Sequence, residues 1–233
     1  MDTVGQQGSV ALLQDGEPVG SALLTQAAGH VVSLPKEINN LLALAGWKMA
    51  DVELLAVTLG PGSFTGLRIA LGFAKGLALG QEVELVGLST LDVVAVGSGA
   101  KEGGDMVASI LDARRKELFF GLFRCQEAGF PEAVRPPFIA DPATLAQELA
   151  DDSTLTQKPV FFNGSGLGPY GEVFKNAMGR HFISAPETAW NPDAVLLGKL
   201  ALHRFREHGG DDPQTLQPLY LRRPDAVVKK RLL

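Results

Sequence analysis

Cysteine is almost missing from this chain. Cys125 stands alone among 233 residues, which excludes a disulfide framework and a cysteine-based zinc site and suits a reducing compartment. Long apolar runs are missing too. The most apolar stretch, Leu67 to Leu79, is short and carries Arg68 and Lys75, so no membrane span is expected. No opening segment joins a basic start to an apolar core, and the sequence predicts no secretory leader and a cytoplasmic location. Positive charge is not in excess. With 21 Lys and Arg against 26 Asp and Glu the net charge is −5, which argues against a general nucleic-acid coat protein, since that would need a basic face. Histidine is sparse, at four residues, and His181, His203 and His208 share no ligand spacing. Leu34 stands four residues after His30, so a His-x-x-x-His helix pair is missing. Neither a metal nor another cofactor is expected.

What is present suits a globular fold. Apolar residues make up 45% and charged residues 20% of the chain, enough for a sizeable core and against disorder. The length fits one large domain or two small ones. Ser9 to Leu13 reads as a strand, Asp15-Gly16 as a hairpin turn and Pro18 to Leu24 as the returning strand. Leu34, Ile38, Leu41, Leu42 and Ala45 then mark one face of a helix. That helix begins either at a Ser33 cap or nearer His30, with Pro35 inside it. Leu54 to Leu59 is an apolar strand, Gly60 to Gly66 a glycine-rich loop, Leu67 to Leu79 a helix, Val83 to Leu88 a strand and Thr90 to Val96 a helix.

The second half repeats this order. Met106 to Leu111, Leu118 to Phe123 and Arg135 to Ile139 read as a strand meander. A helix over Pro142 to Ala150 follows, with Asp141 as its N-cap. Pro159 to Phe162 is a strand, and Gly164-Ser165-Gly166-Leu167-Gly168 leads into a helix ending near Met178. Asp193 to Glu207 is a last, longer helix. The sequence therefore predicts a duplicated α/β unit, with halves at 1–98 and 105–233. The linker between them, Gly97 to Asp105, holds four glycines. Ligands and partners would sit between the halves or at strand ends.

The segment Gly60-Pro61-Gly62-Ser63-Phe64-Thr65-Gly66-Leu67-Arg68 has two readings. Its glycines and the following helix start could receive an anion. Equally, it could be a tight strand-to-helix turn with Ser63 or Thr65 as the cap. It lacks the Lys-Ser/Thr pair of a Walker loop and the serine spacing of a nucleophile elbow. In the next helix Gly66, Ala70, Ala74 and Ala78 form a small-residue stripe beside the apolar Ile69, Phe73 and Leu77. Such a stripe permits close helix approach. This helix and the Leu34–Ala45 helix are read as a subunit interface, against the alternative of interior packing within one chain. In Asp112-Ala113-Arg114-Arg115-Lys116-Glu117, Arg114 or Arg115 could hold a phosphate or a partner carboxylate; self-paired charges at a strand end explain it equally. The basic tail from Arg222 to Arg231 could touch RNA backbone or be only solvated.

These blocks resemble a known family. Gly60 to Ile69, Ala74-Lys75-Gly76-Leu77-Ala78 and Gly87-Leu88-Ser89-Thr90-Leu91 look like TsaB, also called YeaZ. Asp2-Thr3, His30, Ala45-Gly46, Ile110 to Arg114 and Pro218-Leu219-Tyr220-Leu221-Arg222 extend the similarity over nearly the whole chain. The resemblance implies a fold like actin, Hsp70 and sugar kinases, in agreement with the duplicated unit. It implies a non-catalytic subunit of the bacterial machinery that makes threonylcarbamoyladenosine in tRNA. Such a subunit pairs with the catalytic, metal-bearing paralogue TsaD and is joined by the ATPase TsaE; alone it is either a monomer or a homodimer. Substrate and tRNA would be engaged mainly by the partner. No catalytic or metal-ligating residue is expected here. The implied partner interface comprises His30, Leu34, Ile38, Leu41, Leu42, Ile69, Ala70, Phe73, Ala74 and Leu77. The glycine loop, Gly60, Pro61, Gly62, Ser63, Thr65, Gly66 and Arg68, is the family block.

Two departures stand out. Relatives carry about five apolar residues before the Asp-Thr pair, as a central strand, whereas only Met1 precedes Asp2 here. A strand's worth of Val, Ile or Leu upstream is therefore expected, since loss of a central strand costs about 1–3 kcal/mol for each buried orphan group. Val31 replaces the usual serine after the histidine, which weakens a polar role there. An ATP-dependent small-molecule kinase of the same fold is the alternative. It would grip phosphates with two glycine-containing aspartate hairpins; Asp2, Gly5 and Gly8 offer one, whereas Asp112-Ala113-Arg114 has no nearby glycine. A metalloprotease fits least, for want of the ligand pair.

Overall fold

The computed structural model describes residues 1–5, 7–24, 29–126 and 130–222. A hairpin opens the chain, β1 (Ser9–Gln14) and β2 (Glu17–Leu23), turned at Asp15 and Gly16, which both take positive φ. Then come α1 (His30–Ala45), β3 (Leu54–Thr58), α2 (Phe64–Gln81), β4 (Glu84–Leu88) and α3 (Thr90–Val96). The second half runs β5 (Met106–Asp112), β6 (Leu118–Cys125), β7 (Pro131–Ala140), α4 (Pro142–Asp151), β8 (Val160–Asn163), α5 (Leu167–Met178), β9 (Phe182–Ser184) and α6 (Ala194–His208). Capping decides several boundaries. Ser63 Oγ accepts from Gly66 N and starts α2 three residues before the expected Leu67. Ser89, Asp141 and Asp193 cap α3, α4 and α6 in the same way. Ser33 does not cap α1. The helix begins at His30 with Pro35 inside it, and Ser33 Oγ donates back to the Gly29 carbonyl. Strand β9 went unexpected because three residues carry no readable period.

The second sheet has the order β7-β6-β5-β8-β9. Its meander is antiparallel, and β5, β8 and β9 are parallel. The first half repeats this plan. Strands β1 and β2 are antiparallel, and β3 and β4 are parallel. The centre differs. Where β5 joins β6 to β8, the first half offers, among the described residues, a single bridge between Asp2 and Ser9. There the Met1 ammonium donates to the Ala56 carbonyl at 2.7 Å. The first sheet is thus split into two pieces, and a cavity of about 560 Å³ lies between β1 and β3, lined by Met1, Leu12, Leu54 and Gly198 among others. Burial lowers the Met1 ammonium to a pKa of about 6.

Helices α1 and α2 pack on the first sheet, and α4 and α5 form a layer with the second. The other two helices change places. Helix α3 packs on β5, β6 and β7, whereas α6 packs on β1, β3 and β4. Each sheet is therefore completed by a helix from the other half of the sequence. Leu91, Val94 and Ala95 of α3 enter a core with Val107 and Phe123, and Leu197, Leu200 and Ala201 of α6 enter one with Val86 and Leu88. Each such fully buried leucine or valine contributes roughly 1.5–3 kcal/mol. Arg204 of α6 fixes the crossover, pairing with Asp211 at 2.5 and 2.7 Å while donating to the Gly87 carbonyl at 3.0 Å. This holds the Asp211 carboxyl below the usual carboxylate range, first through the hydrogen bonds from Arg204.

Candidate functional site

The glycine loop is shaped by what lies against it. Gly60 and Gly62 have φ of 101° and 152°, values that side-chain-bearing residues rarely adopt. A Cβ at Gly62 would overlap Val4, and one at Gly66 would overlap the Thr3 carbonyl oxygen. Thr3 Oγ1 donates to the Gly66 carbonyl at 2.6 Å. Asp2, wholly buried, accepts from Val4 N at 3.1 Å, Gly5 N at 3.4 Å and Thr58 Oγ1 at 2.6 Å. Burial nonetheless pushes its carboxyl pKa up. The loop is therefore a strand-to-helix turn that clasps the Asp2–Val4 segment. Pro61 is buried beside it, Thr65 is exposed, and Arg68 is exposed and lies over the Phe64 ring.

The residues expected at a partner interface divide. Leu34, Ile38, Leu41, Leu42, Ala70 and Ala74 are buried within this chain. All six belong to the core that α1 and α2 form with the first sheet, where the alanine stripe lets α2 lie close to β3. Ile69, Phe73 and Leu77 are half-buried at the margin of that core. His30 opens α1, and its side chain lies outside the described residues. The exposed face of α2 carries a second stripe that the sequence reading passed over. Gly72, Gly76 and Gly80 recur every four residues, and a Cβ at any of them would meet nothing within 4 Å. Leu79 lies exposed beside them, and Leu44 of α1 is 85% exposed. The signal was in the sequence, in the same spacing as the alanines. Only burial tells which stripe faces out.

Between the halves lies a cleft of about 820 Å³, walled by Gly62, Ser63, Thr90, Asp112, Ser165 and Trp190 and bordered by Arg114, Tyr220 and Arg222. The hydroxyl of Thr90 is buried there without a partner, although its backbone N–H donates to the Gly60 carbonyl. Residues 219–222 cross between the halves. Leu219 N donates to the Leu59 carbonyl at 2.7 Å, and Arg222 donates to the Ala113 carbonyl at 2.7 Å and pairs with Glu117. Asp112 is occupied by Arg114, whose N–H and guanidinium both reach its carboxylate. Most of the expected basic tail, from Arg223 onward, lies outside the described residues. Among the described residues no group of three or more His, Cys, Asp or Glu side chains could hold a metal ion. No described helix is long and apolar enough to cross a membrane.

Residues 24–230 match the profile of the family described as TsaD, tRNA N6-adenosine threonylcarbamoyltransferase. The chain belongs to this family. Within it the resemblance is to the TsaB members. The chain is 36% identical over 144 residues to the tRNA threonylcarbamoyladenosine biosynthesis protein TsaB of Escherichia coli, a match spanning 60% of this chain and 62% of that protein. It is 26% identical to the TsaB protein of Haemophilus influenzae over 100% of this chain and 95% of that one. The solved structure of YeaZ from Pseudomonas aeruginosa superposes with a TM-score of 0.78 at 27% identity, covering 94% of this chain and 97% of that one. The fold is accordingly the duplicated actin-like α/β class expected from the sequence.

Proposed function

We propose that this chain is a non-catalytic scaffold subunit of the complex that transfers threonylcarbamoyl to the tRNA adenosine next to the anticodon. It pairs there with a TsaD-like paralogue, recruits a TsaE-like ATPase, and works in the cytoplasm. The observation that carries this reading is full-length similarity to a protein named for threonylcarbamoyladenosine biosynthesis. The outward face of α2 supports the pairing, with Gly72, Gly76 and Gly80 open to close approach and Ile69, Phe73 and Leu77 beside them. The chain's own 1–98 and 105–233 halves, with α3 and α6 exchanged between them, form the scaffold's two lobes, and a homodimer through the same face is the state of the chain alone. The tRNA is held mainly by the partner.

The interdomain cleft, with the unpaired Thr90 hydroxyl, favours the alternative of an ATP-dependent small-molecule kinase. One experiment separates the two. The purified chain is mixed with a TsaD-like protein and run on a sizing column, and its ATP turnover is measured alone. A mixed complex without turnover by the isolated chain supports the scaffold. Turnover without pairing supports the kinase and overturns the scaffold.

A further inference from the structure

The net charge of the chain conceals a local reversal at the mouth of the cleft. Arg114 and Arg222 line it and Arg68 touches its Phe64 and Tyr220, with Arg115 and Lys116 following Arg114 on the hairpin and Asp112 and Glu117 as the carboxylates among them. Arg114, Arg115 and Lys116 form the exposed tip of the β5–β6 hairpin, all three at positive φ of 56–64°. Aromatic rings lie between the cations. Phe64 and Tyr220 are 44% and 40% exposed, and their ring centroids are 5.4 Å apart. The Arg68 guanidinium sits 3.8 Å from the Phe64 centroid and donates to Tyr220 Oη at 3.3 Å. Arg222 lies 5.9 Å from the Phe119 ring and is fixed to the hairpin base by its bonds to Ala113 and Glu117.

We propose that this rim binds single-stranded RNA, the cations tracking the backbone phosphates while Phe64 and Tyr220 receive unstacked bases. Guanidiniums alone would suit any anion. Exposed rings interleaved with guanidiniums suit a polynucleotide whose bases are free, because each unstacked base presents a flat face that an aromatic side chain can stack on. An acidic peptide would make no use of the rings. The choice of RNA over DNA rests on the tRNA-modification reading above; the rim itself does not.

Fluorescence anisotropy of the full chain with a labelled single-stranded RNA of roughly 12 nucleotides, within the site size of such grooves, tests the proposal. Binding should weaken with salt at a logarithmic slope of about −0.7 per phosphate engaged. The double reversal Arg68→Glu with Arg114→Glu should weaken it by about tenfold or more, and Tyr220→Ala by about fivefold or more. Lys116→Glu, at the exposed hairpin tip, repeats the charge reversal without touching the Arg68–Tyr220 contact, and thermal melting confirms that each variant is folded. Lys175→Glu, exposed on α5, should leave binding unchanged. Equal binding by the folded reversal variants, equal binding of duplex RNA, or equal binding of polyglutamate would each overturn the proposal. The readout is separate from the scaffold function. A chain that restores threonylcarbamoyladenosine in cells but ignores RNA sinks only the rim, and one that binds RNA but restores nothing sinks only the scaffold.

Discussion

At Gly66 a single missing Cβ joins the two ends of the first half. The Thr3 carbonyl occupies the space a side chain would need, and Thr3 Oγ1 holds the Gly66 carbonyl in return. Gly66→Ala should therefore lower stability by about 2 kcal/mol or more, read as a falling melting temperature, although alanine is the better helix former. Asp92 supplies a different residue-scale test. Burial raises its carboxyl from 3.8 to about 6, against a hydrogen bond from the Ser89 backbone and the nearby Arg204 charge. The folded state thus keeps a proton that the unfolded chain releases, so stability falls as pH rises from about 4 through about 6. The loss at neutral pH is on the order of 3 kcal/mol. Asp92→Asn should melt like the parent at pH 4 and clearly higher at pH 8, and equal melts at both would show that Arg204 already neutralises the charge. The sequence shows Gly66 as one more loop glycine. That Thr3 lies against it depends on a contact 63 positions away, which no local pattern encodes.

Helices and strands were more legible. The period of α1 gave its buried face, Leu34, Ile38, Leu41 and Leu42, and the cap of α4 was readable as Asp141. Helix α2 shows where periodicity stops. Alanines and glycines make two stripes of equal spacing, and a small side chain fits both a nearby sheet and a nearby partner. The structure turns the alanines to β3 and leaves the glycines open. Two variants read the difference. Ala74→Arg puts a charge in the core and should collapse the melt, since an unpaired buried charge is strongly unfavourable. Gly76→Arg adds a side chain to open space on a helix, should melt at or above the parent by about 0.5–1 kcal/mol of helix propensity, and should abolish pairing with the TsaD-like partner. A Gly76→Arg chain that still pairs would move the interface off α2.

Across the whole molecule the duplication was legible because the order of meander, helix, strand, glycine-rich loop and helix repeats on either side of the Gly97–Asp105 linker, although among the described residues the first half lacks a strand to match β5. The exchange of α3 and α6 was not, because an amphipathic helix shows which face is apolar without showing which sheet receives it. That exchange ties the two lobes together and lets residues 219–222 span the cleft. Two lobes joined in this way suit the proposed scaffold role, with the glycine face of α2 as its candidate surface for the paralogue. The most direct measurement is the threonylcarbamoyladenosine content of tRNA in cells depleted of their own TsaB subunit and supplied with this chain or with Gly76→Arg at equal abundance. The scaffold account predicts that the parent chain restores the modified nucleoside and that Gly76→Arg does not. No restoration by the parent chain, or equal restoration by both, would contradict it.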